Sequence, residues 1–365
     1  MFSTIKKIIL NSIAGANVVT VILMLLVGYS DRINPEGHEW LACAGMIFPI
    51  FVLANLLFVP LWVFLSWKRM WIPLLGFALA YVPIRIYMPL HGAPDTPPKG
   101  AIRIISWNVC SYGGNYKYEH ALDSVFKYVK EQQADIVCFQ EDTSDKHKAM
   151  NRYSEFFAYN DTTRIPDTSG KMVNALGIHT RFPILRKEKI ESVDMTTRSV
   201  AYYLLVGSDT VIVINNHLEG THLSTSDRSR YKNMIDGTMH RDTVQAETRF
   251  LVTRLGESMA KRAPQARAIN KYVKTHRQYP IIVCGDFNDT PISYTRHTAA
   301  KGLTDCFVET GSGFGVSFNQ RGFNFRIDHM LVSEHFTPYG CKIDNENDVS
   351  DHYPVLCWLQ IGKKP

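Results

Sequence analysis

Three long apolar runs dominate the first part of the chain. Ile8–Tyr29 and Trp40–Trp67 contain no charged side chain, and Trp71–Leu90 contains a single one, Arg85. A helix of about 20 apolar residues crosses the roughly 30 Å hydrocarbon core of a bilayer, so each run is long enough to span it. Tryptophans lie at run ends, as expected of side chains at a membrane–water interface. The pattern predicts a membrane anchor over residues 1–90 with three transmembrane helices.

The first run has an alternative interpretation. Lys6 and Lys7 precede it, and a basic start followed by an apolar core is also typical of a cleaved signal peptide. The run is longer than a usual signal core, no small-x-small cleavage pattern closes it, and two more apolar runs follow. These features favour a retained helix.

Basic residues predict the orientation of the anchor. Lys6 and Lys7 precede the first run, and Lys68 and Arg69 lie in the tight turn between the second and the third. In the loop between the first and second runs, acidic residues outnumber the one arginine, Arg32. Basic flanks favour the cytoplasmic side of a membrane. We therefore predict an integral, multi-pass membrane protein with the lipid bilayer as a partner, a cytoplasmic N-terminus and an extracytoplasmic domain.

The chain after residue 90 changes character. The segment HGAPDTPPKG, residues 91–100, is rich in proline and glycine, which is typical of a short, stiff linker. Over residues 101–365, strand-like apolar runs alternate with amphipathic stretches, which predicts one mixed α/β domain. Two stretches have helical spacing, ALDSVFKYVKEQQ and APQARAINKYVKTH, with Pro264 expected in the first turn of the second. The strand-like runs are AIRIISWNV, ADIVCFQE, ALGIHTRFPIL, SVAYYLLVG, TVIVINNHLEG, PIIVCGDFND, FRIDHMLVS and SDHYPVLCWL.

The strand-like runs end in polar residues that can carry chemistry. In IIVCGDFND the apolar run ends in Asp286 and Asn288, and a charge directly after a buried strand is costly unless it is paired or used. Residues two apart in extended backbone point to the same side. Each residue of this kind also fits a turn or a cap, but together they predict one cleft, because packed strands bring their ends side by side. The set comprises Asn108, Glu141, His217, Asp286, Asn288, Asp328, Asp351 and His352.

These residues occur in the motifs SWNV, FQE, NNHL, GDFN, RID and SDHYPV, whose order resembles the endonuclease/exonuclease/phosphatase (DNase I-like) superfamily. The resemblance covers about residues 101–362. It implies a four-layered α/β sandwich, in which two packed mixed β-sheets are flanked by helices. It also implies hydrolysis of a phosphoester by in-line attack of an activated water, with Mg²⁺ as the cofactor and Mn²⁺ as a substitute.

The resemblance implies a metal site on three residues. Glu141 is expected to hold Mg²⁺, a hard cation that prefers carboxylate oxygen, and Asn108 and Asp351 are expected to help. Phosphodiesters are anionic and resist attack by water, so the metal would neutralise charge on the substrate.

The same resemblance implies roles for the remaining residues. Asp286 would orient and deprotonate the attacking water, with Asn288 fixing the geometry beside it. His352 would contact the scissile phosphate, and His217 would donate to the phosphate or to the leaving group. Asp328 and Asp351 would each fix the tautomer of one histidine. His329 departs from the family pattern, so we interpret it as a buried histidine outside the site.

Charge narrows the choice of substrate. The chain has a net charge of +6, of which residues 100–365 carry only +3, too little to indicate a nucleic-acid binder. A tether close to the bilayer also raises the effective concentration of a membrane-borne substrate. Our hypothesis is a membrane-anchored phosphodiesterase acting on a lipid or glycolipid head group, with no obligate protein partner evident. The alternatives are an extracytoplasmic nuclease acting on DNA or RNA and a catalytically dead binding module. The polar insert at residues 221–256 either overhangs the cleft or is a solvated surface excursion.

Overall fold

The structure is a computed structural model that describes residues 2–113, 120–143, 149–166, 172–193, 197–221, 223–238, 241–320 and 323–362. Its helices are α1 (Phe2–Gly28), α2 (Glu39–Ala42), α3 (Phe48–Leu65), α4 (Trp71–Leu79), α5 (Tyr81–Tyr87), α6 (Cys110–Gly113), α7 (Ala121–Gln132), α8 (Ala149–Tyr153), α9 (Thr225–Ile235), α10 (Arg241–Thr275), α11 (Tyr294–Ala299) and α12 (Cys306–Thr310). Its strands are β1 (Ile102–Asn108), β2 (Ile136–Gln140), β3 (Tyr159–Pro166), β4 (Met172–Thr180), β5 (Ile184–Glu191), β6 (Thr197–Val206), β7 (Asp209–His217), β8 (Ile281–Asp286), β9 (Thr304–Asp305), β10 (Phe318–Gln320), β11 (Phe323–Phe325), β12 (Asp328–Val332), β13 (Phe336–Ile343) and β14 (Val355–Ile361).

Two six-stranded mixed sheets form the centre of the part that follows the linker. The first has the strand order β13-β14-β1-β2-β4-β3, and the second has the order β5-β6-β7-β8-β12-β9. β1 and β2 are parallel, as are β7 and β8, whereas their outer neighbours pair antiparallel. Because the carboxyl ends of parallel strands meet at one edge, each sheet has an edge where two strand ends lie side by side.

The two sheets pack face to face, and helices cover their outer faces. Ile104 of the first sheet and Tyr202 of the second are fully buried in one apolar core between the sheets. On the outside, Val125 of α7 packs on the first sheet, and Ile269 of α10 packs on the second. Each fully buried large apolar side chain contributes about 1.5–3 kcal/mol. The predicted pair of mixed sheets flanked by helices is confirmed.

One apolar run that was predicted as a single strand belongs to two. The run ALGIHTRFPIL ends β4 and begins β5, which lie in different sheets. The Thr180 hydroxyl accepts a hydrogen bond from the backbone N–H of Phe182 (3.1 Å), and Pro183 follows at the point where the chain leaves the first sheet. The prediction was wrong because this short turn contains only one polar residue, Arg181, beside Phe182 and Pro183, and so it barely interrupts the hydrophobic pattern.

The predicted start of the last long helix was also wrong. α10 runs over 35 residues with Pro264 in its interior. Proline inside a helix costs about 3 kcal/mol because it removes one hydrogen bond and crowds the preceding turn. Leu251, Leu255 and Met259 are buried before the proline, and Ile269 is buried after it. The burial of these side chains outweighs the cost, so the helix continues through the proline.

The third apolar run is not one straight helix. α4 and α5 are bent by 61° relative to each other. The ring of Pro83 crowds the carbonyl four residues earlier, that of Leu79, where α4 ends. The freed carbonyl accepts a hydrogen bond of 2.7 Å from the Tyr29 hydroxyl. Two helical segments, Thr4–Arg32 and Glu39–Leu65, are long and apolar enough to cross a membrane, and the bent pair makes a third only if it counts as one span.

A buried polar cluster fixes how the apolar helices pack. The Asn17 side chain donates to Asn55 Oδ1 (3.1 Å), and Trp62 Nε1 donates to Asn17 Oδ1 (2.9 Å). Both asparagines are fully buried. In hydrocarbon, hydrogen bonds between helices replace those that water would otherwise provide. The cluster therefore sets the register of α1 against α3.

Candidate active site

The strand register brings three polar strand ends together in the second sheet. His217 at the end of β7 lies opposite Asp286 at the end of β8, and Asp328 at the start of β12 lies opposite Asp286 on its other side. Gly285 permits this pairing, because its φ is +130° and a Cβ there would lie 2.1 Å from the carbonyl oxygen of Asn216. Only glycine adopts such a backbone without strain.

The first sheet supplies Asn108 at the end of β1 and Glu141 directly after β2. Asn108 lies opposite the last residue of β2, so the next residue, Glu141, follows at the same edge. Glu141 has a φ of 54°, a left-handed conformation that is uncommon for residues with a side chain. The Asn108 amide donates to Asp286 Oδ2 (3.1 Å) and to Glu141 Oε1 (3.4 Å). This amide joins the two sheets at the site.

His352 lies between two carboxylates. Its Nδ1 is 2.9 Å from Asp328 Oδ2, and its Nε2 is 3.7 Å from Asp286 Oδ2. Burial disfavours the charged imidazole, but the carboxylates of Asp328 and Asp286 outweigh that effect and raise the pKa of His352 to about 10. Burial raises the pKa of Asp286, although His352 opposes that shift. At neutral pH the imidazole is therefore positively charged and lies beside the carboxylate of Asp286.

His217 has the opposite electrostatic character. Its Nε2 lies 3.6 Å from Asp286 Oδ2 and 3.9 Å from Glu141 Oε1. Burial lowers the pKa of His217, and the attraction of Asp286 offsets this only in part. The two histidines of the site are thus placed in different charge states by their surroundings. The expected pairing of His217 with Asp351 stays a prediction.

Asn288 holds the carboxylate of Asp286 through its backbone. Its N–H donates to Asp286 Oδ1 (2.7 Å), and its side-chain amide donates to the carbonyl of Leu218 (3.1 Å). Its φ of 52° is again left-handed. The turn after β8 therefore supplies a donor to the buried charge, and the asparagine side chain ties that turn to the end of β7.

These side chains border a cavity of about 210 Å³ with two chemically different halves. The polar half contains seven of the eight residues predicted from the sequence, and Asp328 lies behind them against His352. The seven are Asn108, Glu141, His217, Asp286, Asn288, Asp351 and His352. The other half is apolar and is lined by Met46, Leu223, Leu255, Met259, Phe318, Phe323, Phe325 and Ile327. Leu223 and Leu255 come from the insert at residues 221–256, which favours an insert that overhangs the cleft.

The sequence pattern did not single out Arg262, which also lines the cavity. It is fully buried on α10, where Nε donates to Asp289 Oδ2 (3.2 Å) and Nη1 donates to the carbonyl of Glu219 (2.9 Å). Within the described part of the chain its Nη2 has no hydrogen-bond partner. The available signal was its position: Arg262 follows Met259 by three residues on the apolar face of the helix, where a charge needs a partner.

The donor set at the site fits a hard divalent cation. The carboxylates of Glu141 and Asp351 border the same cavity as Asn108, and oxygen ligands of this kind suit Mg²⁺ or Mn²⁺. A second group could also hold an ion, since one ligand atom each from Asp286, Asp328 and His352 lie within 4.8 Å of one another. The geometry is therefore compatible with a metal on either group.

Comparisons with known proteins agree with this arrangement. Residues 105–352 match the endonuclease/exonuclease/phosphatase family, and residues 6–87 match a family described as a domain of unknown function. No curated protein sequence matches the chain.

Solved structures show the same fold at low sequence identity. The human Nocturnin catalytic domain with bound sulfate is 15% identical, with a TM-score of 0.50 over 73% of this chain and 97% of that one. D. rerio TDP2 complexed with single-strand DNA product is 14% identical, with a TM-score of 0.51 over 72% of this chain and 100% of that one. An endonuclease/exonuclease/phosphatase family protein from Leptotrichia buccalis has the same TM-score, 0.51, at 14% identity over 72% and 100% of the two chains.

His329 lies outside the cavity lining. Its ring packs edge-on against Phe287 at 5.2 Å between centroids, and its Nε2 is 3.1 Å from the carbonyl oxygen of Asp289. Burial, opposed by the charge of Asp305, lowers the pKa of His329 to about 4. The imidazole is therefore neutral and donates to the backbone.

This burial predicts a pH-dependent stability. The pKa of a histidine in the unfolded chain is about 6.5. The unfolded chain therefore binds a proton at His329 that the folded chain does not bind until the pH falls to about 4. The stabilisation is complete above pH 6.5 and is lost as the pH falls towards 4, by up to about 3 kcal/mol. Thermal unfolding of the detergent-solubilised protein between pH 7 and pH 4 measures this slope. His329→Gln, which keeps a donor, should flatten this slope, and an unchanged slope in His329→Gln would contradict the assignment.

Proposed function

Because the chain belongs to the endonuclease/exonuclease/phosphatase family, it is a metal-dependent hydrolase of phosphoester bonds, and we propose that it is a membrane-anchored, Mg²⁺-dependent phosphodiesterase. One observation carries the proposal: His217, Asn108, His352 and the backbone N–H of Asn288 converge from both sheets on the buried carboxylate of Asp286. Carboxylates and imidazoles held in different charge states are what acid–base hydrolysis needs.

We assign the metal to Glu141, Asn108 and Asp351, with Mn²⁺ as a substitute for Mg²⁺. A metal held by Asp328 and His352 would displace the 2.9 Å hydrogen bond through which Asp328 orients the His352 ring. Glu141 is also more accessible than Asp328: 36% of its side chain is exposed, against 2% for Asp328. When bound, the metal neutralises phosphate charge and stabilises the charge that develops during attack.

The remaining residues handle the water, the phosphate and the proton. Asp286 orients the attacking water and accepts its proton, since burial raises the pKa of this carboxylate towards that of a base. Asn288 holds Asp286 in place through its backbone N–H. His352, charged and oriented by Asp328, contacts the scissile phosphate. His217, neutral because of its burial, donates its N–H to the phosphate or to the leaving group.

We propose that the anchor places this site at the outer face of the membrane, with the N-terminus in the cytoplasm. Basic clusters at Lys6–Lys7 and Lys68–Arg69 support a cytoplasmic location for those segments. Contacts support an outer location for the catalytic domain, because that domain packs on the ends of the helices opposite to these basic clusters. Arg326 donates to the carbonyl of Ile86, and Arg267 pairs with Glu36 in the loop between the first two spans. The substrate that suits this placement is a phosphodiester in a lipid or glycolipid head group.

Metal dependence provides the first test of the function. The purified full-length protein should hydrolyse bis(p-nitrophenyl) phosphate in Mg²⁺ or Mn²⁺ and should lose this activity in EDTA. Glu141→Gln should raise the metal concentration needed for half-maximal rate by at least about tenfold, because it removes a ligand charge. Glu191→Gln, at an exposed carboxylate on β5, should leave the metal requirement unchanged. Full activity in chelator would refute the mechanism.

The acid–base roles of Asp286 and His352 provide the second test of the function. Asp286→Asn or His352→Ala should lower kcat by about 10²–10⁴, the range for loss of an acid or base. His329→Gln serves as the matched control, because that histidine is equally buried but borders no part of the cavity. Unfolding temperatures measured alongside separate loss of fold from loss of chemistry. A loss of kcat at His329 equal to that at His352 would show the roles to be wrong.

The orientation of the protein in the membrane provides the third test. In a Cys110→Ser background the other cysteines are buried, so an engineered surface cysteine can be labelled selectively. Ser208→Cys, in the exposed turn between β6 and β7, should react with a membrane-impermeant maleimide in intact cells or spheroplasts. Thr4→Cys, near the N-terminus, should react only after lysis. The reverse pattern would invert the proposed topology.

A further inference from the structure

The membrane anchor contributes a side chain to the active-site cavity. Met46 lies in the short helical turn Cys43–Ile47, two residues before α3 begins, and it lines the cavity together with residues of the catalytic domain. It packs with Leu223, Leu255 and Met259 in an apolar cluster that also contains Phe323. The apolar half of the cavity is therefore not complete without the anchor.

Backbone contacts hold this part of the anchor in place. A Cβ on Gly256 of α10 would lie 2.4 Å from the carbonyl oxygen of Glu39, and a Cβ on Gly45 would lie 2.1 Å from that of Ile292. Approaches this close require glycine at both positions, since backbone atoms cannot move aside as a flexible side chain can. The anchor and the catalytic domain are thus in direct backbone contact at two points in the segment that leads up to Met46.

Side chains reinforce the contact. The Cys43 thiol lies 3.6 Å from the carbonyl oxygen of Val252 and is buried against α10. Arg267 donates to both carboxylate oxygens of Glu36, at 2.8 and 3.0 Å. Exposed ion pairs contribute little by themselves, so the apolar packing and the two glycine contacts fix the geometry. Met46 is therefore held in a fixed position in the apolar half of the cavity, which we call the wall.

The chemistry of the wall indicates what it binds. Among the described residues that line the cavity, the only arginine or lysine is Arg262, and it is paired with Asp289. A nucleic acid gains its affinity from several cations that contact phosphates, so this cavity suits it poorly. An apolar group placed beside the phosphate gains instead from burial against the methionines, leucines and phenylalanines.

The location of the wall indicates where that group comes from. Met46 precedes Ile47, which is 44% exposed, and the exposed apolar face continues along α3 at Ile50 and Leu53. Apolar side chains exposed on such a helix face lipid when the helix spans a bilayer. The apolar half of the cavity is therefore adjacent to the surface that the membrane covers.

We propose that the apolar half of the cavity binds the hydrocarbon chain next to the scissile phosphate of a membrane lipid, and that Met46 of the anchor is a specificity-determining residue. The inference rests on the proposed function, because it assigns a substrate class to the same site. Phosphate chemistry occurs at the carboxylates and histidines, and chain recognition occurs at the wall that the anchor completes.

The test measures chain-length selectivity in the full-length protein in detergent micelles. The substrates are methyl p-nitrophenyl phosphate and octyl p-nitrophenyl phosphate, assayed under identical conditions with Mg²⁺. Each methylene that becomes buried is worth about fourfold, so the ratio of kcat/KM for octyl over methyl should exceed about tenfold in the wild type. Met46→Gln, of similar volume but polar, should reduce this ratio at least about threefold, and Met46→Leu should preserve it.

Met70→Gln is the matched control, since Met70 lies in the turn at the other end of α3 and outside the cavity lining. It corrects for the partition of octyl substrate into micelles, and it should leave the ratio unchanged. An equal ratio in wild type and Met46→Gln overturns the inference, while metal-dependent turnover of the methyl substrate leaves the phosphodiesterase function intact. Absence of turnover for both substrates refutes the function itself. Rapid cleavage of plasmid DNA without chain-length selectivity would replace the lipid substrate with nucleic acid.

Discussion

The buried carboxylate of Asp286 is the constraint on which the rest of the site depends. An ionised carboxylate costs several kcal/mol to bury unless donors and positive charge surround it. Its donors come from different parts of the fold: the turn after β8 supplies the N–H of Asn288, and the first sheet supplies the amide of Asn108. His352 supplies the positive charge from the segment before β14. The charge is satisfied only when the two sheets pack in one register, so the same packing that closes the core assembles the site.

The anchor is coupled to that carboxylate through the turn after β8. This turn carries Asn288 at one end and Ile292 at the other. Ile292 is almost fully buried among Met24, Val27 and Phe48 of the anchor helices. The turn is therefore held between the cavity on one side and the N-terminal apolar helices on the other. A rearrangement of the anchor would move this turn, which begins directly after Asp286. The anchor therefore has a structural role in the site.

The sequence allowed much of this to be predicted, and the failures have physical causes. Asp286, His217 and Glu141 were found because a polar residue that ends a buried strand is costly, and two parallel strand pairs then placed those ends together. Helix α10 was misjudged at Pro264 because a local preference was outweighed by burial along the whole helix. The apolar wall of the cavity was missed because Met46 and Leu255 come from segments more than two hundred residues apart. A hydrophobic pattern shows that such residues are buried, but it does not show what they pack against.

A flexible tether and a docked anchor differ in what they contribute to catalysis. A tether raises the effective concentration of a membrane-borne substrate but leaves its orientation to chance. A docked anchor also fixes the angle between the bilayer and the cleft, and orientation of reacting groups can lower a barrier by several kcal/mol. In this protein the glycine contacts at Gly45 and Gly256 bring backbone against backbone, which leaves no room for a hinge at those points. The proposed lipid phosphodiester has its charge joined directly to its hydrocarbon, and the cavity has the same order, with carboxylates and histidines beside an apolar wall that begins in the N-terminal apolar segment.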